Sequence, residues 1–245
     1  MKKKFMYDEN IYLDFLDPTE LKRVMKVLVQ VDQRTGRLNQ DYYIRSRLSP
    51  VSCCLLAFLL TTGRRTEEAS SLIWSQYLQG DEPRLKLFKT KTSKKNKKFI
   101  FSLGGGAVKV LNLILKDRLN NPKSKFYFPV NDPRNNYIFP SKDYGRKLGK
   151  RKKGQTPYVI DVRKTWIELL RLAGVERQLK LYATRHTFAS NYYIQTKDVK
   201  GGAKALGTTV GTFNKYSKVL EDQVVDGIDA IEFDEVAITK LREVK

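Results

Sequence analysis

The stretch Tyr182-Ala183-Thr184-Arg185-His186-Thr187-Phe188-Ala189-Ser190 decides how the rest of the chain is read. A basic, glycine-containing link carries it to Leu206-Gly207-Thr208-Thr209, and then to Asn214-Lys215-Tyr216-Ser217-Lys218. Taken singly these residues say little. A lone Tyr216 is normally a surface or interface tyrosine, and His186, the only histidine, reads first as a helix-packing residue. Their order and spacing carry the weight, and they direct attention upstream.

There the chain runs Thr62-Gly63-Arg64-Arg65-Thr66-Glu67-Glu68-Ala69-Ser70-Ser71-Leu72-Ile73-Trp74. Thr66 is expected to cap a helix whose first turn holds Glu67 and Glu68, favourable beside the positive helix end. On its own this stretch reads equally well as a helical elbow with surface charges. Beside the downstream motifs, it contributes a Gly-x-Arg-x-x-Glu pattern at Gly63, Arg65 and Glu68.

Together the segments resemble the catalytic domain of the tyrosine recombinase (phage integrase) family. The likeness is to the branch with Tyr where most members have His before Arg-His-Thr, and Leu-Gly-Thr in place of Leu-Gly-His. It implies a mainly α fold with a small antiparallel β-sheet (α+β), the tyrosine recombinase catalytic-domain fold. It implies DNA cleavage and rejoining through a 3′-phosphotyrosine, with Tyr216 as nucleophile and Arg65 and Arg185 holding the charge on the phosphate. Forked guanidiniums suit that task, because negative charge gathers on the non-bridging oxygens. One hairpin lysine is expected to protonate the departing 5′-oxygen. Lys91 fits best, with Lys89 and Lys94 as alternatives. Tyr182 and Thr208 occupy positions where many relatives have histidine, or His or Trp. A phenol is a poor base at neutral pH but can orient a partner, and a threonine hydroxyl can still donate. The interval from Thr208 to Tyr216 is one residue short of the family pattern. Glu68 and His186 are supporting residues.

The bulk properties agree. A net charge of +21 over 245 residues fits a nucleic-acid partner, without separating DNA from RNA. The family likeness points to double-stranded DNA, and to a homo-oligomer, a tetramer, assembled on it. Lys94, Lys95, Arg146, Lys147, Lys150, Arg151, Lys152 and Lys153 lie in two basic runs suited to phosphate contact. No membrane span, signal core, cofactor motif or metal-ligand spacing is read, and the expected compartment is the cytoplasm. Cys53 and Cys54 sit in an apolar run and read as packing thiols.

Taken in order, residues 1–16 read as a tail and 17–220 as the catalytic domain. Asp17-Pro18-Thr19-Glu20 is a helix start, and residues 51–60 a buried helix ending near Gly63. Residues 84–89 and 99–103 alternate as strands around the lysine-rich tip. A helix is expected from Ala107 towards Asn120, and another capped by Asp161 and closed by Gly174. Segments 126–128 and 137–139 are short strands or buried loop anchors. Residues 221–245 hold eight acidic and three basic residues, with Val224, Ile228 and Ile231 at helical spacing. This acidic segment is expected to dock in cis or in trans. Two other classes stay open: a catalytically impaired DNA-binding relative, and an RNA-binding protein.

Overall fold

The computed structural model describes residues 14–87, 99–121, 123–145 and 156–216. The first helix, α1 (Pro18–Leu28), begins as its sequence dictates. Asp17 accepts from the Glu20 amide at 2.8 Å, and the Glu20 carboxylate reaches back to the Asp17 amide at 3.1 Å. The chain is anchored before that helix. Leu16, assigned by the sequence reading to a tail, is fully buried, and its amide donates to Thr187 Oγ1.

After the short α2 (Gln40–Ser46) comes α3 (Pro50–Thr62), the centre of the fold. Ser49 caps it, Pro50 fills the first position, and nearly every side chain from Pro50 to Leu60 is buried. A helix apolar all round must be covered all round. Here α1, α5 (Gly105–Asn120), α6 (Arg163–Leu172) and α7 (Ala183–Thr196) cover it. Burial pushes the Cys53 thiol up to about 12, so it behaves as packing volume. No single helix among the described residues is long and apolar enough to cross a membrane.

Gly63 ends α3 at φ +62°, a left-handed conformation. A Cβ there would lie 2.4 Å from Leu206 Cδ2 and 2.6 Å from Phe188 Cδ1. The turn therefore needs glycine twice over, for its backbone and for the close approach of α7 and α8 (Val199–Leu206).

The chain then makes α4 (Thr66–Ser70), only five residues long. Thr66 is its first residue, not its cap. The cap position belongs to Arg65, whose amide the Glu68 side chain reaches at 3.5 Å. Strands β1 (Tyr77–Leu78), β2 (Arg84–Leu87) and β3 (Phe99–Ser102) form the antiparallel sheet in that order. Leu85 pairs with Tyr77 on one side and Phe101 on the other, and all three face the core.

Segments 126–128 and 137–139 are loop anchors: Phe126, Ile138 and Phe139 are buried, and only isolated bridges join Ile73 to Tyr137 and Pro140 to Tyr158. At α6 the boundary falls one residue later than expected. Val162 holds the cap position, while Asp161 Oδ1 still accepts from the Arg163 amide. Gly174 follows at φ +65°. A second, smaller core joins Ala189, Tyr193, Ala203, Leu206 and Phe213, with Tyr216 packed against it.

The lysine tip (Lys89, Lys91, Lys94, Lys95), the basic run Arg146 to Lys153 and the segment 221–245 lie outside the described residues. Gly63→Ala should cost about 2–4 kcal/mol, from the left-handed backbone and the overpacking together. Gly211, helical with open space around it, is the control and should be unchanged or stabilised by up to about 1 kcal/mol on the same change. Denaturant unfolding checks both, and equal shifts would contradict the packing argument.

Candidate active site

The Gly63 turn sends two consecutive arginines in different directions. Arg64 goes inward and is 2% exposed. Arg65 stays at the surface, its side chain 28% exposed, and pairs at 3.0 Å with Glu68, which is nearly buried. The pair holds Arg65 across the first turn of α4.

Arg185 lies in the first turn of α7 and is also 2% exposed. Its Nη1 donates to the Gly63 carbonyl at 2.7 Å, and its Nη2 to the Leu206 carbonyl at 3.1 Å. These carbonyls close α3 and α8, where the last turns leave oxygens without helical partners. A cation at a helix C-terminus also opposes the negative dipole end. One guanidinium thus joins two helix ends that are far apart in sequence. Its Nε is buried without a partner among the described residues.

Arg64 was not singled out by the sequence reading, and it shares this junction. Its Nη2 donates to the Ala205 carbonyl, next to the one held by Arg185. Burial pulls its pKa down to about 10, Glu68 opposes this, and Arg185 and Arg65 add to it. Arg64, Arg65, Arg185 and Glu68 therefore share one electrostatic neighbourhood with an excess of positive charge.

Tyr216 closes the other side. The described residues 210–216 are helical and follow the left-handed Gly207 cap of α8. The Tyr216 ring packs edge-on against His186 at 5.2 Å and against Phe213 at 5.7 Å. Burial pushes its phenol up to about 12; Tyr182 pushes the same way, and the Arg185 guanidinium pulls it back. Both Tyr182 and the Arg185 guanidinium therefore lie within electrostatic reach of the phenol. At neutral pH this is a protonated phenol held against a guanidinium.

His186 sits between the two tyrosines, with Tyr182 edge-on at 4.8 Å. Burial lowers its pKa, Asp14 at 4.0 Å works against that, and Arg185 adds to it. Tyr182 is about half exposed at the head of α7. Thr208 follows Gly207, and its amide donates to the Ala203 carbonyl. The fold thus gathers Arg65, Glu68, Tyr182, Arg185, His186, Thr208 and Tyr216 around the α3, α7 and α8 ends. Among the described residues, no group of three or more His, Cys, Asp or Glu could hold a metal ion.

Comparison with known proteins identifies the family and the fold. Residues 15–222 match the phage integrase family. The chain belongs to that family. Its fold is similar to that of the XerH site-specific recombinase in a post-cleavage complex with palindromic difH, at 17% identity and a TM-score of 0.58. That match covers 89% of this chain and 52% of XerH. The XerA recombinase is 18% identical with a TM-score of 0.57, over 87% of this chain and 63% of its own. The chain thus spans between half and two thirds of these proteins. Comparison with curated protein sequences yields no match.

His186, the single histidine, provides a direct check on this site. Its imidazole should titrate below the ordinary value near 6.5, and lower still in Asp14→Asn, because the opposing carboxylate is gone. With a depressed folded pKa, the unfolded chain binds more protons, so this site's contribution to stability is lost as pH falls through that window. NMR titration of the lone imidazole measures it; a raised value would contradict the burial argument.

Proposed function

We propose that this phage integrase family member is a site-specific DNA recombinase that cuts and rejoins duplex DNA through a 3′-phosphotyrosine at Tyr216. The observation that carries the reading is the packing of Tyr216 on His186, the residue after Arg185, beside the helix ends that Arg185 joins. In this reading the scissile phosphate enters between Arg65 and Arg185 and takes the position beside Arg185 that the phenol holds in the free protein. The unpartnered Arg185 Nε supplies a further donor.

The Tyr216 oxygen attacks phosphorus, and the bond from phosphorus to the 5′-oxygen breaks. The phenol proton leaves towards Tyr182, whose exposure gives it a path to solvent. The 5′-oxygen takes a proton from a hairpin lysine, Lys91 in the first instance. Rejoining runs the same steps backwards, and the ester conserves the bond energy without ATP. Glu68 orients Arg65, and Thr208 offers a hydroxyl to the phosphate. The basic runs containing Lys94, Lys95 and Arg146, Lys147, Lys150, Arg151, Lys152, Lys153 hold the flanking backbone. The protein acts as a tetramer on DNA, and 221–245 docks in cis or between protomers. An impaired relative would bind DNA with the same surface and form no ester.

The test uses a pool of nicked duplexes with randomised flanks, trapping denaturant-resistant protein–DNA adducts. Wild type should form them with EDTA present, because arginines hold the transition-state charge. Tyr216→Phe should abolish them at unchanged DNA binding. Arg65→Lys and Arg185→Lys keep the charge but lose the fork, and each should slow adduct formation by about 10²–10³-fold with little change in binding. Equal losses of binding and cleavage would reduce both arginines to plain phosphate contacts.

A further inference from the structure

We infer that Arg64 is a positioning residue that locks the Arg65 elbow, the end of α8 and strand β3 into one rigid seat for the reacting phosphate. The inference rests on the recombinase reading for its purpose, and on geometry alone for its mechanics.

Three contacts define the residue. Its Nη2 donates to the Ala205 carbonyl in the last turn of α8, and its Nε lies 3.5 Å from the Thr62 carbonyl at the end of α3. Its guanidinium stacks over the Phe101 ring at 4.4 Å, with Phe99 at 5.8 Å. Gly207 leaves room for it, since a Cβ there would come within 3.3 Å of Arg64 Nη1.

Each contact leads to a site element. Thr62 and Arg64 flank the Gly63 turn, whose carbonyl Arg185 holds. Ala205 precedes Leu206, whose carbonyl Arg185 also holds, and Gly207 leads directly to Thr208. Phe99 and Phe101 lie on β3, the strand that follows the lysine-bearing residues 88–98. Arg64 and Arg185 thus grip adjacent carbonyls of one helix end from two sides.

Arg64 is covered by the Phe101 ring and by the end of α8, where its guanidinium is already engaged, so its effect passes through the groups it holds. A buried cation is an expensive strut, because desolvation works against it; an apolar side chain of similar size relieves that cost while leaving the Ala205 carbonyl without its donor. An apolar substitute would satisfy packing while freeing the Ala205 carbonyl and the register of β3. Stability and chemistry should therefore separate at this position.

The experiment compares wild type, Arg64→Met and Arg64→Lys by thermal denaturation, amide hydrogen exchange, and adduct formation on the nicked-duplex pool. Arg64→Met should stay folded and melt within a few degrees of wild type, since relief of the buried charge offsets the orphaned Ala205 carbonyl. Its amides at 206–208 and on β3 should exchange about tenfold faster. Its adduct formation should fall by about 10- to 100-fold at DNA affinity within about twofold of wild type. Arg64→Lys, which keeps a cation able to reach one carbonyl but loses the fork, should lie between the two. Wild-type exchange together with wild-type cleavage in Arg64→Met would overturn the inference, as would parallel loss of binding and cleavage. If Arg64→Met does not fold, Arg64→Lys decides: wild-type exchange and cleavage in that variant would overturn it equally. If wild type itself forms no adduct, the recombinase reading fails, and the exchange data alone decide whether Arg64 locks the seat.

Discussion

One buried guanidinium holds the site together. Arg185 reaches from α7 to the terminal carbonyls of α3 and α8, and so joins the helix before the Arg65 elbow to the helix before Thr208. Burying such a charge costs several kcal/mol, offset here by two carbonyl partners and two helix-end dipoles. Loss of the side chain would orphan both carbonyls in a water-excluded place, which is more damaging than the loss of one surface contact. In the proposed mechanism the residue that holds the phosphate is also the one that assembles its seat.

In the proposed mechanism the same arrangement keeps Tyr216 quiet in the free protein. Tyr216 is desolvated and its phenol pushed up to about 12. The guanidinium pulls in the opposite direction and loses. In the proposed mechanism an arriving phosphate changes this balance by adding negative charge beside Arg185 and displacing the phenol. Positive charge from Arg64 and Arg65 surrounds that position and is only partly answered by Glu68.

Much of this was legible in the chain. The Asp17 capping box, the all-round apolar run before Gly63 and the glycine itself are local signals, and local physics decided them. The motif series named Arg65, Arg185 and Tyr216, which the fold gathers at one junction. Arg64 was missed because nothing local buries an arginine; only the free carbonyls of α8, supplied from far along the chain, make the inward direction favourable. Tyr182 and His186 are four residues apart, so their contact could have been read from helical spacing. The third ring, Tyr216, meets them only through tertiary packing. Thr66 lost its capping role because α4 starts at the residue where the turn from Gly63 ends, leaving Arg65 as the half-in position. Leu16 escaped notice because one buried leucine next to the α1 cap carries no periodicity.

Where a covalent bond to DNA forms, and with which polarity, tests the proposed mechanism most directly. Trapped adduct, digested by protease and nuclease and sequenced by mass spectrometry, should yield a peptide whose Tyr216 carries a 3′-phosphonucleotide, with the opposing DNA end a free 5′-hydroxyl. Attachment at Tyr192 or Tyr193, or through a 5′-phosphate, would contradict it.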